Sequence, residues 1–317
     1  MTTVDKAEAT TRTAAERGAL AGLRRFASRH GWSYLFVLPS LITFALFTLI
    51  PVLWSFIISF QDFSLARGGR WMDPWYENYV DAFTQQRGVF LIAIQNTLIY
   101  SAFTVTAAIL FGLVLASLIQ PLSNRLKTVF RAAYYLPAVT SALIVGLTWR
   151  YIFNAQWGFA NWVLRSLGME PIRWLSDPSI ALGSVTLSAV LTMPATAVVL
   201  FSAAMGSIPP EYYEAAELDG AGPIRRWWSI TIPLIKSTTL YLVVLYTIAS
   251  FEVFDRVYAM VPSGVGNSTQ TIVTQIYNNG FKELDFGVAS AQAFVLFVMI
   301  AIVAVVQFRA LRSDVEY

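Results

Sequence analysis

The sequence predicts an all-α integral membrane protein, and three observations carry that prediction. Of the 317 residues, 56% are hydrophobic and 13% are charged, against roughly 25% charged residues in an average soluble domain. Six apolar runs of about 20 residues are each long enough to cross a hydrocarbon core roughly 30 Å thick. Because these runs are continuous and do not alternate with polar residues, they indicate helices and not the strands of a barrel. They lie at 34–60, 97–119, 132–153, 180–205, 238–261 and 286–308.

The rarest residue types exclude several classes of function. The chain has no Cys and one His, so disulfides, thiolate metal sites, cysteine nucleophiles and His-based metal centres are not expected. The net charge of +3 is dispersed, and no basic stripe with interleaved aromatic residues indicates nucleic-acid binding. The first apolar run is too long for the core of a cleavable signal peptide, and no small-residue cleavage site follows it. We therefore interpret it as a membrane span.

The distribution of Lys and Arg predicts the orientation of the chain. With the N-terminus inside, 14 of the 22 basic residues fall on the cytoplasmic side. Both termini are then cytoplasmic. The predicted division is a polar tail at 1–31, a six-helix transmembrane domain at 32–310 with a cytoplasmic loop at 207–233, and a second tail at 311–317. The 14 residues are Lys6, Arg12, Arg17, Arg24, Arg25, Arg29, Arg125, Lys127, Arg131, Arg225, Arg226, Lys236, Arg309 and Arg312.

The predicted outer loops are rich in aromatic residues. Trp and Tyr concentrate where a membrane meets water, because their rings are apolar and carry a polar edge. We interpret the aromatic residues of these loops as an interfacial belt. They include Trp71, Trp75, Tyr76, Trp157, Trp162 and Trp174.

The polar segment between the fourth and fifth runs predicts a helix, a sharp turn and a second helix. The proline pair at 209–210 suits the first turn of a helix, where the missing N–H groups would have no partner, and the acidic residues that follow complement the helix dipole. Gly220 and Gly222 allow a left-handed exit, and Pro223 can open the second helix. Pro233 is expected to break the chain again.

The order of residues in this segment resembles the EAA loop of the permease subunits of binding-protein-dependent ABC importers. That loop reads Glu-Ala-Ala, three residues, Gly, nine residues, Ile, one residue, Leu and Pro. Ile232 stands where Leu is usual, which is a mild change. The matching positions are Glu214, Ala215, Ala216, Gly220, Ile230 and Pro233.

The resemblance covers most of residues 34–308. Residues 251–258 and 262–269 look like the family's stretch of Phe, Asp and Tyr, followed by a Gly-rich turn and a Ser-Thr pair, although residues 262–263 depart from its usual opening. The chain looks most similar to the maltose-permease first-subunit type found in carbohydrate importers. Further similar stretches are Asn96-Thr97, Tyr135-Leu136-Pro137 and 287–291.

The resemblance implies the type I importer fold, with six transmembrane helices and a cytoplasmic coupling helix. It implies one of two permease subunits in a bacterial or archaeal cytoplasmic membrane, served by an extracytoplasmic solute-binding protein and a cytoplasmic ATPase dimer. The expected solute is a sugar or oligosaccharide. The chain has no Gly-x-x-x-x-Gly-Lys-Ser/Thr phosphate loop, so ATP and Mg²⁺ are expected in the partner ATPase, with no cofactor in this chain. The implied ATPase contacts are Glu214, Ala215, Ala216, Asp219, Gly220, Ile230 and Pro233.

Charged and helix-breaking residues inside the apolar runs are candidates for the translocation path, because charge is costly in a membrane. Glu252 and Arg256 are four apart on one predicted helix face, which favours a structural ion pair, and a polar lining of the path is the rival interpretation. Residues 192–194 interrupt the fourth run, and a proline there can kink a helix beside a cavity. The path candidates are Trp149, Tyr151, Thr192, Met193, Glu252 and Asp255.

Two other functions stay open on the sequence alone. An ion-coupled carrier or channel would use the intramembrane charges as ion sites. An integral-membrane enzyme would need Glu252 and Asp255 as acid and base in one accessible pocket.

Overall fold

The computed structural model describes residues 35–64, 68–84, 88–192, 194–261 and 265–311. Met193, one of the path candidates, lies outside them, and so does the predicted N-terminal tail. The chain divides into two compact units, residues 1–57 and 58–317. Helix α1, Leu35–Ile58, supplies the described part of the first unit and contains a π-helical segment at Ala45–Leu49.

The second unit opens with a small hairpin and continues almost entirely as helices. Strands β1 (Gln61–Ser64) and β2 (Gly68–Trp71) pair antiparallel, and the Asn78 side chain donates to the backbone carbonyls of Ser59 and Gln61. The helices are α2 (Glu77–Thr84), α3 (Val89–Ile119), α4 (Asn124–Tyr135), α5 (Ala142–Ile152), α6 (Phe159–Ser166), α7 (Ala181–Thr192), α8 (Ala195–Gly206), α9 (Pro210–Leu218), α10 (Pro223–Leu234), α11 (Lys236–Phe251), α12 (Asp255–Met260), α13 (Ile272–Tyr277) and α14 (Phe286–Leu311).

Within the described ranges, four helical segments are long and apolar enough to cross a membrane. They are α1, α3, the α7–α8 pair and α14, and they correspond to the first, second, fourth and sixth predicted runs. The number rises to five if α10 and α11, which meet at 67°, form one span. The all-α membrane fold predicted from the sequence is confirmed.

The third predicted run, 132–153, is divided in the structure. Helix α4 begins earlier, at Asn124, and a 3₁₀ turn at Leu136–Val139 separates it from the 11-residue helix α5. Pro137 explains the division, because proline has no backbone N–H with which to continue the hydrogen bonds of a helix. Hydropathy alone therefore predicts one continuous span where the backbone forms two helices.

The fifth predicted run, 238–261, is also broken. Helix α11 ends at Phe251, and α12 begins only at Asp255. A break inside a membrane domain needs other partners for the freed backbone groups, and the Thr271 hydroxyl supplies one by donating to the Val253 carbonyl at 3.0 Å. The chain therefore tolerates an interruption where the sequence predicts a continuous helix.

Small residues allow the membrane helices to pack closely. A Cβ atom added to Gly112 of α3 would lie 2.3 Å from the Cβ of Ala197 in α8, and one added to Gly146 of α5 would lie 2.7 Å from the Cβ of Ala259 in α12. Contacts of this kind drive helix association in membranes. Lipid tails are as apolar as the side chains of the helices, so the hydrophobic effect does not favour contacts between helices over contacts with lipid. Gly112 and Gly146 thus fix α8 against α3 and α5 against the broken fifth run.

An ordered segment at 154–179 follows α5. Its centre is Asn161, which is fully buried and whose Oδ1 accepts hydrogen bonds from the backbone N–H of Ile172 and the indole N–H of Trp174. Trp174 stacks on Phe153 with 5.2 Å between ring centroids. Trp174 is thus half-buried in the fold, whereas Trp162 is exposed.

Candidate coupling surface and translocation path

The polar segment at 207–235 folds as the predicted helix, turn and helix. Helix α9 begins at Pro210 with an acidic residue in its first turn, and its C-terminus closes with Gly220 in the left-handed region at φ 76°. The N–H of Ala221 bonds to the carbonyl of Ala216 at 2.8 Å, and the N–H of Gly220 bonds to that of Glu217 at 3.0 Å. This pair of bonds is the Schellman arrangement that satisfies the last carbonyls of a helix.

Two details of the segment differ from the prediction. Gly222 has an ordinary φ of −68°, so Gly220 alone provides the left-handed exit. Pro233 does not end its helix at once: α10 continues to Leu234, and the 67° bend into α11 follows at Ile235. Because Pro233 has no N–H, it cannot bond to the preceding turn, and a π-helical segment at Trp227–Thr231 precedes it.

Three side-chain contacts hold this hairpin in place. Arg226 donates to the Glu217 carboxylate at 2.7 Å, which joins α10 to α9. The hydroxyls of Tyr213 and Thr231 hydrogen-bond at 2.9 Å. The indole N–H of Trp227 donates to the Ser117 hydroxyl of α3 at 2.8 Å. The hairpin is thus braced internally and tied to a membrane-crossing helix.

The residues implied as ATPase contacts are distributed over both arms of the hairpin. Glu214, Ala215, Asp219 and Gly220 are exposed on α9 and the turn, while Ala216 is half-buried. On the second arm Ile230 is half-buried and Pro233 is exposed.

Sequence reasoning missed the most exposed apolar residues of the hairpin. Leu218 is 90% exposed and Ile224 is 76% exposed, one on each side of the turn. The signal was available, since both stand as isolated apolar residues in a polar loop. Their exposure on both sides of one turn makes them candidates for a contact with a partner.

The path candidates Trp149, Tyr151 and Thr192 have different environments. Trp149 is half-buried and packs on Phe153 at 5.2 Å, whereas Tyr151 is exposed and packs on Trp157 at 5.5 Å. The Thr192 hydroxyl donates to a carbonyl of its own helix at 2.7 Å. The predicted interruption at 192–194 is present, because α7 ends at Thr192 and α8 begins at Ala195.

The favoured Glu252–Arg256 ion pair is contradicted by the structure. Both residues are described, and the one ion pair within the described ranges joins Arg226 to Glu217. Glu252 caps the end of α11 and is exposed, while Arg256 lies in α12 beyond the break, so the two do not share a helix face. The Arg256 guanidinium instead donates to the Ser188 hydroxyl at 3.2 Å and lies near the Tyr100 side chain.

The remaining candidate, Asp255, is exposed in the first turn of α12. A cavity of about 210 Å³ lies beside the same break, with Phe254, Tyr258 and Tyr277 in its wall. Sequence reasoning missed this cavity because three separate parts of the chain form it, at 89, 254–261 and 267–283. Within the ranges that the structure describes, no group of three His, Cys, Asp or Glu side chains could hold a metal ion.

A family model described as the binding-protein-dependent transport system inner membrane component matches residues 108–314. The chain belongs to this family. The match includes the whole helical hairpin at 207–235 and both sides of the broken fifth run. The importer permease class predicted from the EAA resemblance is therefore confirmed.

Relatives of this permease match along most of their length. The chain is 30% identical over 287 residues to the probable ABC transporter permease protein YurN of Bacillus subtilis, covering 89% of this chain and 97% of the relative. It is 32% identical over 279 residues to the sulfoquinovosyl glycerol transport system permease protein SmoG of Agrobacterium fabrum, covering 88% and 90%.

The fold of this permease is shared with a solved importer. A chain in the crystal structure of a bacterial ABC transporter involved in the import of the acidic polysaccharide alginate superposes with a TM-score of 0.82. The two chains are 23% identical, and the match covers 93% of this one and 99% of the other. The type I importer permease fold predicted above is confirmed by this likeness.

Proposed function

We propose that this chain is one of two permease subunits of an ATP-driven importer of a sugar or oligosaccharide. An extracytoplasmic binding protein delivers the solute, and a cytoplasmic ATPase dimer binds ATP and Mg²⁺ and hydrolyses the ATP. The observation that carries this proposal is the braced hairpin at 207–235, which presents two exposed apolar residues on a turn. The chain itself has no phosphate loop with which to bind ATP.

The hairpin is suited to transmit force. A partner that binds the turn would move α9 and α10 together, because the Arg226–Glu217 contact joins the two helices. Trp227 passes the displacement to Ser117 in α3, and the bend at Ile235 passes it to α11. Coupling needs such a contiguous chain of packed or hydrogen-bonded elements with two arrangements. The predicted contacts from Glu214 to Pro233 are part of this proposal.

The substrate class is inferred from the relatives. Their names specify sulfoquinovosyl glycerol, arabinooligosaccharides and lactose as transported solutes. These solutes share sugar rings with many hydroxyl groups. We assign Glu252 and Asp255 as candidates for the polar lining of the path, because both are exposed beside the helix break.

Purification from native membranes tests the proposed function. The tagged chain is expected to co-purify with a second permease and an ATPase, and the complex in liposomes is expected to take up a saccharide only with ATP and its binding protein. An unaltered rate of uptake in the presence of a non-hydrolysable ATP analogue would contradict the importer, and an ion gradient that replaces ATP would support a carrier.

The orientation is proposed to be cytoplasmic at both termini, in a bacterial or archaeal cytoplasmic membrane. A cysteine at Ser123, just before α4, should be shielded in intact cells from a membrane-impermeant thiol reagent. One at Ser166, in the predicted outer segment, should react. Both side chains are exposed, and the absence of native Cys leaves no background labelling. Labelling of the Ser123 cysteine but not of the Ser166 cysteine would show that the topology is the reverse of the proposed one. The hairpin at 207–235 would then lie on the side of the membrane away from the ATPase.

A further inference from the structure

The cavity of about 210 Å³ next to the helix break has an aromatic wall. Tyr258 stacks on Phe254 with 5.2 Å between centroids and meets Tyr277 edge-on at 5.5 Å. The Lys282 ammonium stands 5.7 Å from the Tyr277 ring centroid and so takes up space above that ring. Tyr258, which is 37% exposed, is the tyrosine of this wall that keeps open ring surface for a ligand.

A second part of the wall is polar and held in place by its own hydrogen bonds. The Gln270 side-chain oxygen accepts from the Thr274 hydroxyl at 3.0 Å and from the Asn278 amide at 3.4 Å. The Asn96 amide of α3 donates to the backbone carbonyls of Asn267 and Gln270 at 3.2 and 2.8 Å. The amide groups of this wall are therefore positioned before any ligand arrives, which lowers the cost of binding.

The backbone beside the cavity is unusual in two respects. A π-helical segment at Asn278–Lys282 carries Asn278 and Lys282 to the cavity, and such segments occur often at functional sites. Leu284 follows with φ 60°, and among the described residues it is the one non-glycine residue in the left-handed region. Strain of this kind persists where function requires the local shape.

We propose that this cavity is a subsite for one pyranose ring of the transported saccharide, an inference that rests on the proposed import function. The apolar C–H face of a sugar ring would pack on Tyr258, and its hydroxyls would hydrogen-bond the amides of Gln270 and Asn278. A volume of about 210 Å³ is below the roughly 300–1,000 Å³ of pockets for drug-sized ligands. The subsite therefore takes a single ring of a longer chain.

Photolabelling tests this proposal on the purified complex without its binding protein. The probe is a methyl glucopyranoside carrying a diazirine, and the label is located by mass spectrometry after trypsin digestion. Cleavage after Arg256 and Lys282 releases residues 257–282, which contain every lining residue of the cavity except Val89, Phe254 and Glu283. Labelling of this peptide is expected, and excess unlabelled methyl glucopyranoside should suppress it, whereas glycerol should not.

Two substitutions at one position make the test specific. Tyr258→Leu removes the aromatic ring and should reduce labelling about fivefold, the loss expected for one aromatic contact. Tyr258→Phe keeps the ring and should retain labelling. Trp162→Leu, at an exposed aromatic residue away from the cavity, is the matched control. Co-purification of the ATPase with each variant shows that the complex is folded.

Two results would overturn the subsite. One is the absence of label from peptide 257–282 in the wild-type complex, and the other is unchanged labelling in folded Tyr258→Leu. Either result leaves the import function standing if the wild-type complex still takes up saccharide with ATP. Loss of ATP-dependent uptake in the wild-type complex would instead refute the proposed function itself.

Discussion

The double variant Leu218→Glu with Ile224→Glu is expected to lose its binding to the ATPase and therefore to abolish ATP-driven uptake. The two side chains are almost fully exposed in this chain, so their replacement should change the stability of the fold by no more than about 0.5 kcal/mol. In an interface, each apolar side chain contributes about 1.5–3 kcal/mol when buried, and a buried unpaired carboxylate adds a further cost. The expected loss of affinity for the ATPase is at least about 100-fold for the double variant.

The measurement is the amount of ATPase that co-purifies with the tagged permease at equal membrane abundance. Leu167→Glu is the matched control, because Leu167 is also an exposed leucine but lies in the predicted outer segment after α6. It should retain the ATPase. Wild-type recovery of the ATPase with both glutamates in place would show that the turn is not the contact, whatever the motif resemblance implies.

The hairpin shows how far sequence reasoning reaches when local chemistry decides the structure. The proline pair at 209–210 and Gly220 define a helix start and a helix end within twelve residues, and both are where the sequence predicts them. Local rules do not show what the hairpin rests on. The contact from Trp227 to Ser117 joins residues 110 apart, and no spacing pattern in the sequence indicates it.

The broken runs show where hydropathy ceases to be informative. Residues 132–153 and 238–261 are each long and apolar enough to be predicted as one span, so a window of about 20 residues does not reveal that they are broken. At the first of these, Pro137 is a visible cause of the division. At the second, no proline or glycine lies between Phe251 and Asp255, and the break is accommodated by Thr271 from a later segment.

The unpredicted break after Phe251 also explains why the Glu252–Arg256 ion pair favoured by the sequence is not present in the structure. The i, i+4 rule places Glu252 beside Arg256 only if the helix is continuous through both residues. Once the helix stops at Phe251, that rule no longer applies. The partners that Arg256 has instead, Tyr100 and Ser188, come from α3 and α7 and are 156 and 68 residues away in sequence. Tertiary packing alone brings them together.

Arg256→Ala is expected to lower the folded yield and thermal stability of the permease, while Glu252→Gln should leave both near wild type. Tyr100 is 1% exposed and Ser188 is fully buried, so the alanine variant takes the guanidinium away from two buried hydroxyls. Ser188 keeps its hydrogen bond to the Val185 carbonyl, so the main cost falls on the Tyr100 hydroxyl, and a buried polar group left without a partner costs about 1–3 kcal/mol. Glu252 is exposed and outside ion-pair distance of Arg256, so neutralising it removes no such contact.

Melting temperature and monodisperse yield in detergent measure this difference. The melting temperature and yield of Arg256→Lys should lie between those of wild type and Arg256→Ala. The Lys side chain is shorter, and its ammonium cannot reproduce the planar guanidinium geometry that reaches two hydroxyls. The exchanged double variant Glu252→Arg with Arg256→Glu should be no more stable than Arg256→Ala, since it puts a carboxylate beside Tyr100 and Ser188 and restores no pair. Recovery of stability in the exchanged variant would mean that the two charges do interact. In that case the fifth helix would have to be continuous through residues 252–254 in the measured state.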